Sequence, residues 1–255
     1  MIDDAAEIDE VGELVTTLLS APAHRLTACP GWTAHELVAH LAAGAAEEAD
    51  LIEAHLAGEP RATRSFDERE PPFRALADGE LRDRLLEESV RLGVALRKLT
   101  DVPSGSVLFT GRAMTAADFA THSRSECALH RWDLVGRDDV GWAMLAQPEL
   151  TAHAIAVLTS MSTLPEAPAN RMPASADGSE FRAVLRSAPH DDVVVTVTDG
   201  VLTMSMRPVS AAAADVELDA AARLLLLWGR REPSAPIDVY ATGPGAGVLR
   251  SLFGW

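Results

Sequence analysis

The sequence predicts a bundle of four or five antiparallel helices followed by a small α+β unit. Three observations indicate this order. Apolar residues recur every three or four positions through the first two-thirds of the chain, a segment rich in proline and small residues follows, and apolar and polar residues alternate after it. With 255 residues, the chain is long enough for one large or two modest domains. We expect a helical bundle at residues 1–163, a linker at 164–177 and an α+β domain at 178–255.

The composition limits the possible partners and the compartment. Twenty-two basic and 38 acidic side chains give a net charge of −16, which should repel nucleic-acid backbones and anionic lipid. The longest strongly apolar stretch, Leu224–Trp228, is too short to cross a bilayer, and the acidic N-terminus does not look like a signal peptide. Two cysteines cannot form a disulfide framework. We therefore expect a cytoplasmic protein that binds neither nucleic acid nor membranes, with a monomer as the default oligomeric state.

Two helices of the bundle follow from apolar spacing alone. Apolar residues three or four positions apart are typical of a helix that buries one face. The two stripes consist of Ile8, Val11, Leu14, Val15 and Leu18, and of Leu81, Leu85, Leu92, Leu96 and Leu99. Between the second and third helices, we expect Arg61–Asp78 to be a polar loop, because Pro71 and Pro72 interrupt it.

The second and fourth helices share a start signal. Thr33 and Thr115 are each followed three positions later by an acidic residue, which predicts a capping box at both helix starts. The second helix should run to about Ala57 and the fourth to about Val135, each just before a glycine. A further helix is expected at Glu149–Met161, where it follows a proline.

The α+β unit is predicted from alternation and from one turn. Phe181, Ala183 and Leu185 alternate with Arg182 and Arg186, which is typical of a half-buried strand. Val193–Met206 reads as a hairpin, because apolar β-branched residues flank the turn signal Asp199-Gly200. We expect a helix at Asp219–Trp228 and a short strand at Ile237–Tyr240 to complete this unit.

Two inward-facing helix surfaces carry a candidate metal site. His40 lies on the same face of the second helix as Leu37 and Leu41, and Glu126 and His130 lie one turn apart on an inward face of the fourth. Two imidazoles and one carboxylate are the ligand set of a catalytic zinc site with an open fourth position. Non-haem iron oxygenases use the same set, so the ligands alone do not fix the metal.

Each of these residues also has an ordinary structural explanation. An inward histidine such as His40 is commonly a hydrogen-bonded core residue, and a pair such as Glu126 and His130 also arises by chance on helix surfaces. An inward glutamate is costly to bury unless it is paired or bound to a metal, which favours the site.

Five neighbouring residues are assigned other roles. His122 is expected in a solvated or capping position at the rim of the same face. Glu48 is either solvated or placed behind a metal ligand, and Asp133 is a candidate for orienting one. Cys29 is expected to be a packing residue, and Cys127 points away from the face of the ligands.

Two motifs resemble those of a known family. The segment Cys29–Leu41, which opens with Cys-Pro-Gly-Trp-Thr, is similar to the opening motif of the mycothiol-dependent maleylpyruvate isomerase family. The segment Glu126–Leu134 resembles that family's second motif. The resemblance extends over nearly the whole chain and implies a DinB-like metal-binding helical bundle with a C-terminal domain similar to sterol-carrier modules.

The resemblance also implies a set of functional residues. The resemblance implies that His40, Glu126 and His130 hold Zn²⁺ or another divalent metal. It also implies that mycothiol, a small thiol of actinomycete bacteria, binds at the open fourth position of that metal. A coordinated thiol loses its proton, and the resulting thiolate is the nucleophile. It would add to a conjugated double bond, let the carbon–carbon bond turn, and then leave; in sibling enzymes it would stay attached as an S-conjugate.

The C-terminal domain of the family contributes an arginine to the active site. Arg230 is the positional match, with Arg231 beside it. As a catalytic residue, Arg230 would bind a carboxylate of the substrate or of the thiol cofactor through its guanidinium fork. The alternative is that these cations only complement the dipole at a helix C-terminus.

Three functions remain open at this point. The first is a zinc enzyme that uses mycothiol or a similar small thiol for isomerisation or S-transfer on a small, carboxylate-bearing electrophile. The second is a non-haem iron oxygenase with the same ligands. The third is a non-catalytic module that binds an apolar ligand through the C-terminal domain. The sequence does not specify the substrate.

Overall fold

A helical bundle precedes a small α+β unit in the computed structural model, which describes residues 9–102, 105–160, 180–230, 249 and 252–253. This arrangement confirms the predicted architecture. The predicted linker at 164–177, the predicted strand at Ile237–Tyr240 and Arg231 lie outside the described residues. None of the helices in the described part of the chain has the length and apolarity that a membrane crossing requires.

The helices include all six that the sequence predicts. They are α1 (Glu10–Ser20), α2 (Ala34–Leu56), α3 (Phe66–Arg69), α4 (Pro71–Arg74), α5 (Asp78–Thr100), α6 (Ala116–Val135), α7 (Asp139–Leu145), α8 (Pro148–Ser160) and α9 (Ala220–Leu227). Thr33 and Thr115 cap α2 and α6 within capping boxes, as predicted. Helix α6 ends at Gly136, whose positive φ of 76° a residue with a side chain rarely adopts.

The prediction of a polar loop over Arg61–Asp78 is wrong in its central part, which forms α3 and α4. Ser65 caps α3 within a capping box of its own. Pro71 occupies the first turn of α4, where a proline starts a helix rather than breaking it. The two short helices pack against α2 and bring polar side chains to the face that carries His40.

The strands form two separate sheets. A hairpin of β1 (Val107–Phe109) and β2 (Arg112–Met114), which the sequence analysis did not predict, connects α5 to α6. The second sheet contains β3 (Glu180–Ser187), β4 (His190–Thr198), β5 (Val201–Arg207) and β6 (Val216–Glu217) in the order β5-β4-β3-β6. Strands β3, β4 and β5 are antiparallel, and β6 is parallel to β3.

The predicted hairpin turn between β4 and β5 is confirmed. Asp199 and Gly200 have φ angles of 51° and 77°, and a two-residue turn with both residues in this region matches the twist of the strands it joins. The turn pairs Thr198 with Val201. This register places Val195 and its alternate neighbours on the buried face of the sheet.

One apolar cluster joins the two parts of the molecule. Leu129 and Trp132 of α6 pack in the same buried cluster as Leu185 and Val195 of the sheet and Leu224 of α9. Two further clusters lie within the bundle, among α1, α2, α5, α6 and the β1–β2 hairpin. Because α6 contributes to the cores on both sides, its polar face is held in a fixed position between them.

Candidate metal centre

Three side chains from two helices converge inside the bundle. The Nε2 atom of His40 on α2 lies 3.5 Å from Oε2 of Glu126 on α6, and the Nε2 atom of His130 lies 3.3 Å from the same oxygen. One donor atom from each residue lies within 4.8 Å of the other two, so the three can share one ion. The structure thus brings together the three residues predicted from the sequence, and we call this trio the candidate metal centre.

A carboxylate from the α3–α4 segment orients His40. Its Nδ1 atom lies 2.7 Å from Oε1 of Glu70. Glu70 is buried and also accepts a hydrogen bond of 2.7 Å from Arg74, one turn later on α4. An Nδ1–H group that donates to Glu70 leaves the Nε2 lone pair of His40 facing the candidate metal centre.

A second carboxylate orients His130 in the same way. The Nδ1 atom of His130 lies 2.9 Å from Oδ2 of Asp133, three residues further along α6. Arg230 donates two hydrogen bonds to Asp133, from Nε to Oδ1 at 2.9 Å and from Nη2 to Oδ2 at 3.1 Å. The thiol of Cys29 also donates to Oδ2 of Asp133, at 3.2 Å. The α+β unit thus supports this side of the centre through Asp133.

Aromatic rings line the centre on the side of the α1–α2 connection and of α3. The Trp32 ring lies 5.1 Å from the His40 ring and 6.3 Å from the His130 ring, between centroids. The Phe66 ring lies 5.5 Å from the His40 ring and is half exposed. These apolar surfaces displace water from the imidazoles, which strengthens electrostatic interactions with their Nε2 atoms.

The polar contacts shift the pKa values of Glu126 and His130 so that both side chains are charged. Burial alone would raise the pKa of Glu126, but its interactions with His130 and His40 hold that pKa well below the usual value. Burial alone would lower the pKa of His130, yet its contacts with Asp133, Cys29 and Glu126 raise it well above the usual value. Without a metal, the ionised Glu126 carboxylate therefore pairs with a protonated His130, and a cation that binds at the centre takes the place of the His130 proton.

The donor set fits a divalent metal ion. Each histidine presents one nitrogen and has the other bound to a carboxylate, an arrangement common behind the histidine ligands of metal sites. Among the described residues, Cys29, His130 and Asp133 form a second group whose ligand atoms lie within 4.8 Å of one another. That group fits less well, because the Asp133 carboxylate already accepts hydrogen bonds from His130, from Cys29 and from an arginine.

The sequence of the bundle shows to which family this chain belongs. Residues 5–135 match the model for the mycothiol maleylpyruvate isomerase N-terminal domain, which is just over half of the chain. The chain belongs to the mycothiol maleylpyruvate isomerase family. Both motifs quoted from the sequence, including His40, Glu126 and His130, fall within the matched range.

Two solved structures support the family's fold for this chain. Mycothiol-dependent maleylpyruvate isomerase superposes with a TM-score of 0.54 at 18% identity, covering 88% of this chain and 86% of the other. A histidine-to-alanine mutant of mycothiol-dependent maleylpyruvate isomerase superposes with a TM-score of 0.55 at 17% identity, covering 87% and 85%. No curated protein sequence matches this chain. The similarity extends beyond the bundle, since it includes most of the α+β unit.

The arginine suggested by the family resemblance lies behind the candidate metal centre. Arg230 follows α9, and its guanidinium fork binds Asp133, which in turn binds His130. The third nitrogen of the guanidinium donates to the carbonyl oxygen of Trp228 at 3.4 Å. In this structure Arg230 therefore acts on the centre through Asp133, and its contact with substrate stays a prediction.

A second polar cluster lies beside the centre, and the sequence analysis missed its extent. His122 is not solvated: its side chain is 12% exposed, and its Nδ1 atom lies 3.0 Å from Nε2 of His153 on α8. Its Nε2 atom lies 3.7 Å from Oε1 of Glu48 on α2. Burial and the nearby charge of Glu126 raise the pKa of Glu48 to about 8, so this carboxyl group is neutral at pH 7.

Other members of the site were predicted only in part. The expected role of Asp133 in orienting a ligand agrees with its contact with His130. Glu70 was missed, because it lies 30 positions after His40 in a segment expected to be a loop; the capping box at Ser65 was a usable signal. Cys127 is buried, and burial raises the pKa of its thiol to about 12, so it remains protonated.

Proposed function

We propose that this family member is a metal-dependent enzyme that uses mycothiol, or a similar small thiol, as a nucleophile. Its reaction is the isomerisation of a small electrophile that carries a carboxylate, or S-transfer to such a molecule. The observation that carries the proposal is the convergence of His40, Glu126 and His130 with both imidazoles oriented by carboxylates. The names of the two similar structures, both mycothiol-dependent maleylpyruvate isomerase, favour thiol chemistry and isomerisation.

Each residue of the centre has a distinct task in this proposal. His40, Glu126 and His130 bind the metal, which we propose is Zn²⁺, and leave its fourth position open. A divalent metal held there would lower the pKa of a coordinated thiol, so that the thiolate forms at neutral pH. Glu70 and Asp133 keep the Nε2 lone pairs of the histidines directed at the metal position.

The remaining assignments follow from the same geometry. Arg230 acts as a positioning residue, because its fork holds the carboxylate that orients His130. Trp32 and Phe66 shield the reacting atoms from water. We also propose that the chain consists of a metal-binding bundle at 1–163, a linker at 164–177 and an α+β domain at 178–255. Its binding partners in this proposal are small molecules.

The protonation state of the bound thiol tests the proposal without knowledge of the substrate. Mycothiol is added to zinc-loaded protein at pH 7, and thiolate is measured by its ultraviolet absorbance. We expect about one thiolate per wild-type chain and a loss of most of this signal in Glu126→Gln. Glu59→Gln, which changes an exposed glutamate, is the matched control and should behave like the wild type.

Product analysis then separates the two reactions. With maleylpyruvate as the test substrate, isomerisation regenerates free mycothiol, whereas S-transfer consumes it and gives a conjugate detectable by mass spectrometry. Protein that leaves mycothiol protonated, or Glu126→Gln protein that forms as much thiolate as the wild type, contradicts the proposal.

A further inference from the structure

A buried cation beside the candidate metal centre has no anionic partner in direct contact. Arg69, the last residue of α3, is 6% exposed, and its Nε atom is buried without a hydrogen bond. Within the described part of the chain, Arg69 forms no ion pair. Burial of an unpaired charge is costly, and it lowers the pKa of this arginine. An anion that binds such a group would offset part of this cost.

The guanidinium of Arg69 lies close to the candidate metal centre. It covers the Phe66 ring at 4.5 Å from the ring centroid, and that ring lies 5.5 Å from the His40 ring. The next residue, Glu70, binds Nδ1 of His40. The charge of Arg69 interacts electrostatically with Glu47, Glu70 and Glu48, and to a smaller extent with Glu126. A molecule held at the open metal position would therefore lie beside this cation.

The acidic residues around Arg69 are bound to other partners or neutral. Glu47 accepts hydrogen bonds from an arginine of the loop before α3, at 2.6 and 2.8 Å. Glu70 accepts from His40 and from an arginine of α4, and Glu126 faces the two imidazoles. Glu48 lies 3.7 Å from Nε2 of His122, and burial raises its pKa to about 8. These residues act on Arg69 only at longer range, so its donors remain available to an external anion.

We propose that Arg69 binds the carboxylate of the substrate next to the proposed metal position. The inference rests on the proposed function and makes Arg69 a determinant of specificity for carboxylates. A guanidinium fork matches a carboxylate with two parallel hydrogen bonds, and stacking on Phe66 limits the rotation of that fork. Arg230 is less suitable for this contact, because Asp133 already occupies its fork.

Direct binding of a small dicarboxylate tests the role of Arg69. Zinc-loaded protein without mycothiol is titrated with succinate, and with uncharged succinamide, by calorimetry. We expect succinate to bind the wild type, and Arg69→Met to raise the dissociation constant at least tenfold. Arg69→Lys, which keeps the charge but loses the fork, should give an intermediate value. Arg97→Met, which removes an exposed arginine of α5, is the control and should match the wild type.

The zinc content of each sample separates the possible failures. If the wild type holds zinc and Arg69→Met and Arg69→Lys bind succinate as tightly as the wild type does, the Arg69 proposal alone is wrong. It is equally wrong if the wild type binds succinate no better than succinamide. If the wild type takes up no zinc, the proposed function fails. Circular dichroism of both variants shows whether any loss of binding reflects loss of structure.

Discussion

His40 and His130 each give one nitrogen to a carboxylate and keep the other for the proposed metal. This pairing fixes which nitrogen carries the proton, which a histidine in a uniform apolar core would not do. Glu70 supplies the first carboxylate and Asp133 the second. Both carboxylates lie in the bundle, but different parts of the molecule hold them. Glu70 is bound by Arg74 of the bundle, whereas Asp133 is bound by Arg230 of the α+β unit.

Replacing Asp133 with asparagine should weaken metal binding without removing a ligand. An amide holds the His130 ring less firmly and leaves Arg230 without its anionic partner, so we expect zinc affinity to fall by roughly 10- to 100-fold. Competition with a chelating dye measures this affinity. Asp139→Asn, at an exposed position of α7, is the control. An Asp133→Asn variant with unchanged affinity would show that the contact has no positioning role.

The protonated carboxyl group of Glu48 should make stability depend on pH. The pKa of Glu48 is about 8 in the folded protein, above its usual value of 4.5. The unfolded chain therefore releases this proton at lower pH, and the folded state loses stability as pH rises from about 5 to 8. Each unit of pKa difference corresponds to about 1.4 kcal/mol.

The variant Glu48→Gln removes this titration. We expect the free energy of unfolding of the variant, relative to the wild type, to rise by more than about 2 kcal/mol between pH 5 and pH 8. Urea unfolding of metal-free protein at both pH values measures it. Parallel pH profiles for variant and wild type would rule out a neutral Glu48.

The three predicted ligands show what helix periodicity can reveal. A spacing of four residues places Glu126 and His130 on one face, whatever surrounds the helix. His40 follows from the apolar residues beside it. Partners such as His153 cannot be found in this way, because their contact with α6 depends on how separate helices pack.

Among the helices, α3 and α4 matter more for the site than their length suggests. Together they supply Phe66, Arg69, Glu70 and Arg74 to the surroundings of His40 and Trp32. Prolines within a polar segment favoured a loop, and local sequence does not reveal that packing against α2 stabilises two short helices there. The long helices were predictable, because each has an apolar stripe, a capping box or a proline at its start.

The cap of α6 should contribute measurably to stability. Thr115 accepts a hydrogen bond from the backbone of Asp118 and donates to its side chain. We expect Thr115→Ala to lower the free energy of unfolding by about 1 kcal/mol, the usual contribution of such a cap. Thr121→Ala, within the same helix, is the control, since its hydroxyl bonds only to the carbonyl of Ala117. Equal effects of the two substitutions in urea unfolding would argue against the cap.

In the whole molecule, one shared core couples the bundle to the α+β unit. Leu129 and Trp132 belong to α6, which carries two of the proposed ligands, and they pack with the sheet and with α9. Arg230 adds a polar contact between the same two parts. The resemblance to a family could suggest both parts, but not this continuity, which arises from tertiary packing alone.

A substitution in α9 should therefore destabilise the distant bundle as well. Leu224 is fully buried in the shared core, and Leu224→Ala should cost about 2–5 kcal/mol. We expect hydrogen exchange to accelerate in both α2 and β4. Val201→Ala, at a half-exposed position of β5, is the control. Loss of protection in β4 with α2 unchanged would mean that the two parts unfold independently.

X-ray absorption at the zinc edge is a direct test of the proposed metal centre, because it reports the atoms bound to the metal. For zinc-loaded wild-type protein, we expect nitrogen and oxygen neighbours only, from His40, Glu126 and His130. Addition of mycothiol should introduce one sulfur neighbour at about 2.3 Å. A sulfur neighbour present before mycothiol is added would assign the metal to the group that contains Cys29, and no sulfur after its addition would contradict thiol binding at the open position.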